Sequence, residues 1–331
     1  YDPRIDVVRF FAFFLVFFTH FINKGGNAVS GDLKVWWNHE LIQGFADFGG
    51  QGVPIFFALT GFLLGRLLIK EYVSTDSISI KSFYLRRIFR IWPLYFAFFL
   101  LCLLANPFSS HTPAINPSEI PYYLTFTYNW GQVFSGIPGS MATITWSVSV
   151  EEQIYFILPL LLSLRLKRRF FKTSVLFVLV GMLSMLLSDF SFLSSPDRLT
   201  TSYLLPVGVG LLVAIYEEPL RRRNHVNSRL KWVVLLLSIS YIFCFGAIRN
   251  LQVGRTLTMI LTSILFIALL FMSDNFFKSS KHLFRLLSRI GRVSYGCYLF
   301  HWGSKNRFYY HWSNHCPHCN NFYKYSFIRV F

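Results

Sequence analysis

Charge is what this chain lacks first. Only 14% of its 331 residues are Asp, Glu, Lys or Arg, while 53% are hydrophobic and 19% aromatic. So few charges cannot cover a soluble domain of this length, so we expect an all-α polytopic membrane protein, built as a transmembrane helical bundle. Acid is scarcer still: 15 Asp and Glu stand against 32 Lys and Arg, a formal net charge of +17. That excess does not point to nucleic acid, because the basic residues lie scattered between apolar runs and form no single basic domain. Of five cysteines, Cys102, Cys244 and Cys297 fall within apolar runs as packing residues, and no disulfide framework is visible. The front of the chain also lacks a short apolar segment followed by a small-residue cleavage site. Its first apolar stretch is therefore expected to be kept as a span and not removed as a signal peptide.

Long apolar runs are what the chain has. Nine can be marked, at roughly 7–22, 50–66, 92–106, 146–164, 173–190, 201–216, 232–248, 256–273 and 293–310. Lys and Arg number 21 in the connections 66–90, 165–172, 217–231 and 274–292, against 5 in the alternate set. This bias places the first set, and the N-terminus with Arg4 and Arg9, in the cytoplasm. The expected localisation is the cytoplasmic (inner) membrane, multi-pass.

The first run, IDVVRFFAFFLVFFTHFI from Ile5 to Ile22, holds Arg9 and His20. Eleven residues apart on a helix, they leave nearly the same face, roughly 16 Å apart along the axis. A permanent cation thus sits below a titratable base on one stripe, and ionisable residues inside a span are a functional expectation in themselves.

Later motifs each have a plain reading beside a chemical one. Gly49, Gly50, Gly52 and Gly61 read as close helix packing, with Pro54 favouring a helix start. In FYLRRIFRIWPLYF, Arg86, Arg87 and Arg90 share a helix face before Pro93, which is expected to open the third span. They either clamp a polyphosphate or serve orientation and lipid head groups. The outer loop 107–145 carries Tyr122, Tyr123, Tyr128 and Trp130, suited to sugar rings and equally to a membrane interface. In TWSVSVEEQIYFILPLLL, Glu151 and Glu152 stand near a helix start, where the macrodipole favours them. Chemically, Glu151 would instead orient His20 and strengthen it as a base. His301 reads first as a packing residue. After Trp302 the pattern turns polar and aromatic, so residues 5–302 read as the membrane domain and 303–331 as an atypical tail. The CxxC of Cys316 and Cys319 lacks a second pair of ligands, and no metal is expected.

Five segments in order carry a resemblance: IDVVRFFAFFLVFFTH, GVPIFFALTGFLL, LRRIFRIWPLY, WSVSVEEQIYFILPLL and VSYGCYLFHW. Together the chain resembles membrane acyltransferase family 3, which includes bacterial O-acetyltransferases of lipopolysaccharide and exopolysaccharide. The resemblance implies transfer of an acyl group, usually acetyl, from cytoplasmic acyl-CoA to a hydroxyl of a cell-surface glycan or lipid-linked sugar. It implies Arg9, His20 and Glu151 as catalytic residues, Arg87 and Arg90 (with Arg86 beside them) on the CoA side, and Ser294 and Tyr295 as the last motif. Acetyl-CoA is then a co-substrate, and membrane lipids are the remaining partners. Thr60 stands where the family commonly has serine, and the family usually has ten spans. The residues alone also allow a transporter or proton pathway, and the polar tail allows an inactive, truncated member.

Overall fold

The computed structural model describes residues 2–25, 40–106, 114–163, 167–189, 196–222, 228–251, 253–276 and 281–315. Every regular element among them is helical. The chain opens with α1 (Pro3–Gly25), whose fixed-φ proline and first-turn Asp6 suit a helix N-terminus. Next come α2 (Glu40–Gly49) and α3 (Gly52–Thr75), which form a helix broken at Gly50–Gln51. Asp76, in the left-handed region at φ 53°, closes α3. A short hairpin then leads into α4 (Ile80–Ala105).

Two short helices, α5 (Ile120–Leu124) and α6 (Tyr128–Phe134), and a 3₁₀ turn at Pro117–Glu119 lie between α4 and α7 (Thr145–Ser163). The rest of the bundle is α8 (Lys167–Asp189), α9 (Leu204–Arg222), α10 (Ser228–Arg249), α11 (Gly254–Phe276) and α12 (Lys281–His315). Where they are described, the nine apolar runs lie almost wholly on helix. Five helical segments among the described residues are long and apolar enough to cross a bilayer: Pro3–Ile22, Ile42–Thr75, Ile80–Ala105, Phe170–Asp189 and Thr200–Glu217. Leu101, Leu104, Leu176, Leu183 and Leu187 are more than half exposed on the outside of the bundle. Lipid is the solvent in which such a surface costs nothing.

Packing centres on α3. Its main partner is α9, and α1 lies along both α3 and α12. A Cβ at Gly61 would sit 2.2 Å from the Val207 carbonyl oxygen, and one at Gly210 would sit 2.0 Å from that of Ala58. The two helices touch backbone to backbone because both positions lack a side chain, as the packing reading of Gly61 requires. At one end of the bundle Asp2 bonds Arg4 (2.6 Å) and Arg66 (3.2 Å), and Glu217 bonds Arg66 (3.2 Å) and lies 3.6 Å from Arg4. That ring of charges ties together the ends of α1, α3 and α9.

Three expectations change. Pro93 does not open a helix; it lies inside α4, which runs unbroken from Ile80 through the arginines into the span. The segment expected as an outer loop is folded over 114–144: Tyr123 and Tyr128 are fully buried and stack at 4.2 Å, so they form core and no sugar platform. Gln153 of α7 holds this cap by donating to the Phe126 carbonyl (2.7 Å) and to Asn129 Oδ1 (2.9 Å). Past Trp302 the backbone stays helical to His315. Trp36, Trp37, Cys316 and Cys319 lie outside the described residues, as does the side chain of His301.

Candidate active site

Five helices supply one cleft of about 120 Å³. Arg9 comes from α1, Thr60 from α3, Arg87 and Arg90 from α4, Ser147, Glu151 and Tyr155 from α7, and Ser294, Tyr295 and Tyr298 from α12. Val53, Phe56, Phe57 and Leu64 of α3 give it an apolar side. Six of the eight residues singled out from the sequence thus meet in one place: Arg9, Arg87, Arg90, Glu151, Ser294 and Tyr295.

Each cation is held differently. Arg9 Nη1 bonds Asp6 Oδ1 at 3.1 Å, three residues back on the same helix; the Asp6 side chain is buried and that of Arg9 is 22% exposed. Arg87 lies over two rings, Phe83 at 5.6 Å and Tyr155 at 5.1 Å. Such contacts are worth about 0.5–1 kcal/mol each when exposed and more when desolvated. They fix the plane of the guanidinium while leaving its N–H groups for an anion. Among the described residues neither Arg87 nor Arg90 has a carboxylate within salt-bridge distance.

Glu151 sits in the second turn of α7, beyond the first-turn positions that the macrodipole favours. Its Oε1 accepts from Thr60 Oγ1 (3.4 Å) and, in a very short bond, from the Tyr155 hydroxyl. Threonine in place of the family's serine keeps the hydroxyl that this contact uses. Tyr155 therefore links the carboxylate to the Arg87 stack. Beyond it, Ser147 and Tyr298 share a hydrogen bond of 2.7 Å, and the buried hydroxyl of Tyr295 has no partner among the described residues.

Two expected residues stand apart. Arg86 points away and pairs with Glu71 on α3 (3.3 Å), an exposed bridge worth about 0–1 kcal/mol, so it belongs to the hairpin and not to the cleft. His20 does not line the cleft. Glu151 makes its bonds to Thr60 and Tyr155, not to His20, which corrects the expected orientation of the imidazole by that carboxylate. Phe13 and Val16 occupy the stripe of α1 between Arg9 and His20, and both pack into the core.

The sequence assigns no site role to Asp6, Thr60, Tyr155 or Tyr298. Asp6 precedes Arg9 by three residues and Tyr155 follows Glu151 by four, spacings that put each pair on one helix face and are open to inference. Thr60 and Tyr298 reach the cleft only through helix packing.

A family profile described as an acyltransferase domain matches residues 2–315. The chain belongs to membrane acyltransferase family 3. A protein of Staphylococcus aureus (strain COL), provisionally named an O-acetyltransferase, is 27% identical over 228 residues, which cover 62% of this chain and 36% of that protein. The peptidoglycan O-acetyltransferase OatA of Listeria monocytogenes is 28% identical over 139 residues, covering 39% of this chain and 22% of its own length. An uncharacterised protein of Haemophilus influenzae is 28% identical over 219 residues, covering 60% of this chain and 88% of that protein. The chain thus spans about a third of the staphylococcal relative and less of the listerial one. No solved structure matches.

Proposed function

We propose that this acyltransferase-family protein moves an acyl group, acetyl by preference, from cytoplasmic acyl-CoA to a hydroxyl of a cell-surface glycan or lipid-linked sugar. One observation carries the reading: Arg9, Arg87 and Arg90 converge on a small cleft that also holds Glu151 and six hydroxyl-bearing side chains. Cations without carboxylate partners suit the phosphates of CoA, and the apolar wall of Val53, Phe56 and Phe57 suits a short acyl chain. The names of the staphylococcal and listerial relatives agree with acetyl transfer.

In this mechanism Arg87 and Arg90 hold the phosphates at the cytoplasmic end, and the thioester extends along α1 past Arg9. The Arg9 guanidinium binds the polar arm of the donor where it passes toward His20. His20, about three turns further toward the outer surface, accepts the proton of the acceptor hydroxyl. A C–O bond forms, the C–S bond breaks, and CoA leaves as the thiol, taking the proton that His20 accepted. Glu151 acts from the wall of the same cleft, bonded to Thr60 and Tyr155. Supplying labelled acetyl-CoA to the cytoplasmic face of vesicles tests the reading: label should move to glycan or lipid-linked sugar, and His20→Ala should abolish the movement. Label that stays on CoA with every such acceptor, or full transfer by His20→Ala, would sink it.

A further inference from the structure

We infer that Asp6 is the positioning residue for Arg9, and that α12 holds Asp6 in place through Ser288 and Gly291. The inference rests on the proposed acyl-CoA reaction and adds to it a residue outside the cleft.

Three contacts meet at Asp6. Its Oδ1 accepts from Arg9 Nη1 at 3.1 Å. Its Oδ2 accepts from Ser288 Oγ at 3.3 Å, across from α12. Its backbone carbonyl lies against Gly291, where a Cβ would sit 1.8 Å from the oxygen, far inside any real contact. Gly291 therefore sets how closely, and at what register, α12 lies on α1. That register puts Ser288 on the Asp6 carboxylate. One turn further along the same helix, it also puts Ser294 and Tyr295 into the cleft.

Asp6 does not line the cleft, and its side chain is only 4% exposed, so it does not meet a ligand there. Arg9 does line it. An arginine with several rotatable bonds, reaching into a cleft, loses aim unless one of its N–H groups is tied down. Asp6 occupies one N–H and leaves the outward edge of the fork free, and an i, i+3 spacing on a helix makes the pair at little entropic cost. The carboxylate also offsets the charge of Arg9 next to Arg90, letting three guanidiniums share one cleft.

The test is a double-mutant cycle on Asp6→Asn and Arg9→Lys in the full-length chain in nanodiscs, read on acetyl-CoA affinity and on transfer. Asp6→Asn should cut kcat/KM roughly tenfold or more, and it should do so much less when Arg9 is already lysine, because the loss runs through Arg9. Ser288→Ala should lose less, in the same direction, with the same dependence on Arg9. Equal losses in both backgrounds, or wild-type rates in Asp6→Asn, would overturn the inference. Should Asp6→Asn fail to yield folded protein, Ser288→Ala takes its place in the cycle and is read by the same criteria. If the wild type binds acetyl-CoA but transfers nothing, the proposed reaction fails while the cycle on affinity still decides the role of Asp6. A wild type that does not bind acetyl-CoA removes both.

Discussion

At the residue scale, the cleft divides the arginines of one motif by their partners. Arg86 is paired with Glu71, Arg87 is stacked on Phe83 and Tyr155, and Arg90 faces the cleft with no carboxylate at salt-bridge distance among the described residues. Their substitutions should separate accordingly. Removing a charge-assisted contact costs about 1.5–3 kcal/mol, so Arg90→Ala should raise the KM for acetyl-CoA roughly tenfold or more, with a smaller change in kcat. Arg86→Ala should leave KM within about twofold, because an exposed pair contributes at most about 1 kcal/mol and does not touch the cleft. Steady-state kinetics over a range of acetyl-CoA concentrations checks both. Equal KM values for the two variants would remove Arg90 from the donor site.

At the element scale, the bundle depends on helices that approach closer than side chains allow. Gly61 and Gly210 bring α3 and α9 into backbone contact, and α3 in turn presents Thr60 to Glu151. Gly210→Val forces the two helices apart, and overpacking of this kind costs typically 1–3 kcal/mol. The expected result is a lower thermal midpoint in detergent together with reduced transfer, whereas Gly246→Val, at a position with nothing within 4 Å of a Cβ, should leave the midpoint unchanged. The nine apolar runs and their helical state were legible because unbroken apolar sequence is itself the signal. The continuity of α4 through Pro93 was not. A proline inside a span is tolerated when its neighbours re-satisfy the freed carbonyl, and that depends on packing.

At the scale of the whole molecule, charge at the ends of the helices carries two predictions. The first concerns the ring of Asp2, Arg4, Arg66 and Glu217, where burial pushes the Asp2 carboxyl up but the bonds from Arg4 and Arg66 outweigh it and leave it below the usual carboxylate range. A lowered folded value stabilises the protein above the unfolded value of about 4, and the benefit is lost as pH falls through that value and then the folded one. The thermal midpoint of the wild type should therefore exceed that of Asp2→Asn at pH 7, and the gap should close as pH drops below about 4. A gap that widens on acidification would contradict the sign. The second concerns orientation, proposed from the distribution of Lys and Arg. A cysteine at exposed Ser77, in the α3–α4 hairpin, should react with an impermeant thiol reagent only from the cytoplasmic side, and one at exposed Ser135 only from outside. Swapped accessibility would invert the topology.

By itself the sequence determined the helical class, the membrane character and the family, since apolar length and local spacing along one helix need no tertiary information. It also put Arg9, Arg87, Arg90, Glu151, Ser294 and Tyr295 forward. What only the tertiary structure decided is which of them share one space. Thr60 and Tyr155 hold Glu151 where an imidazole was expected, Arg86 turns to Glu71, and Asp6 gains Ser288 from the far end of the chain. Apart from Tyr155, four residues from Glu151, those contacts join residues from 15 to 282 positions apart, and the distance between such groups is set by how closely whole helices pack, which no local pattern encodes.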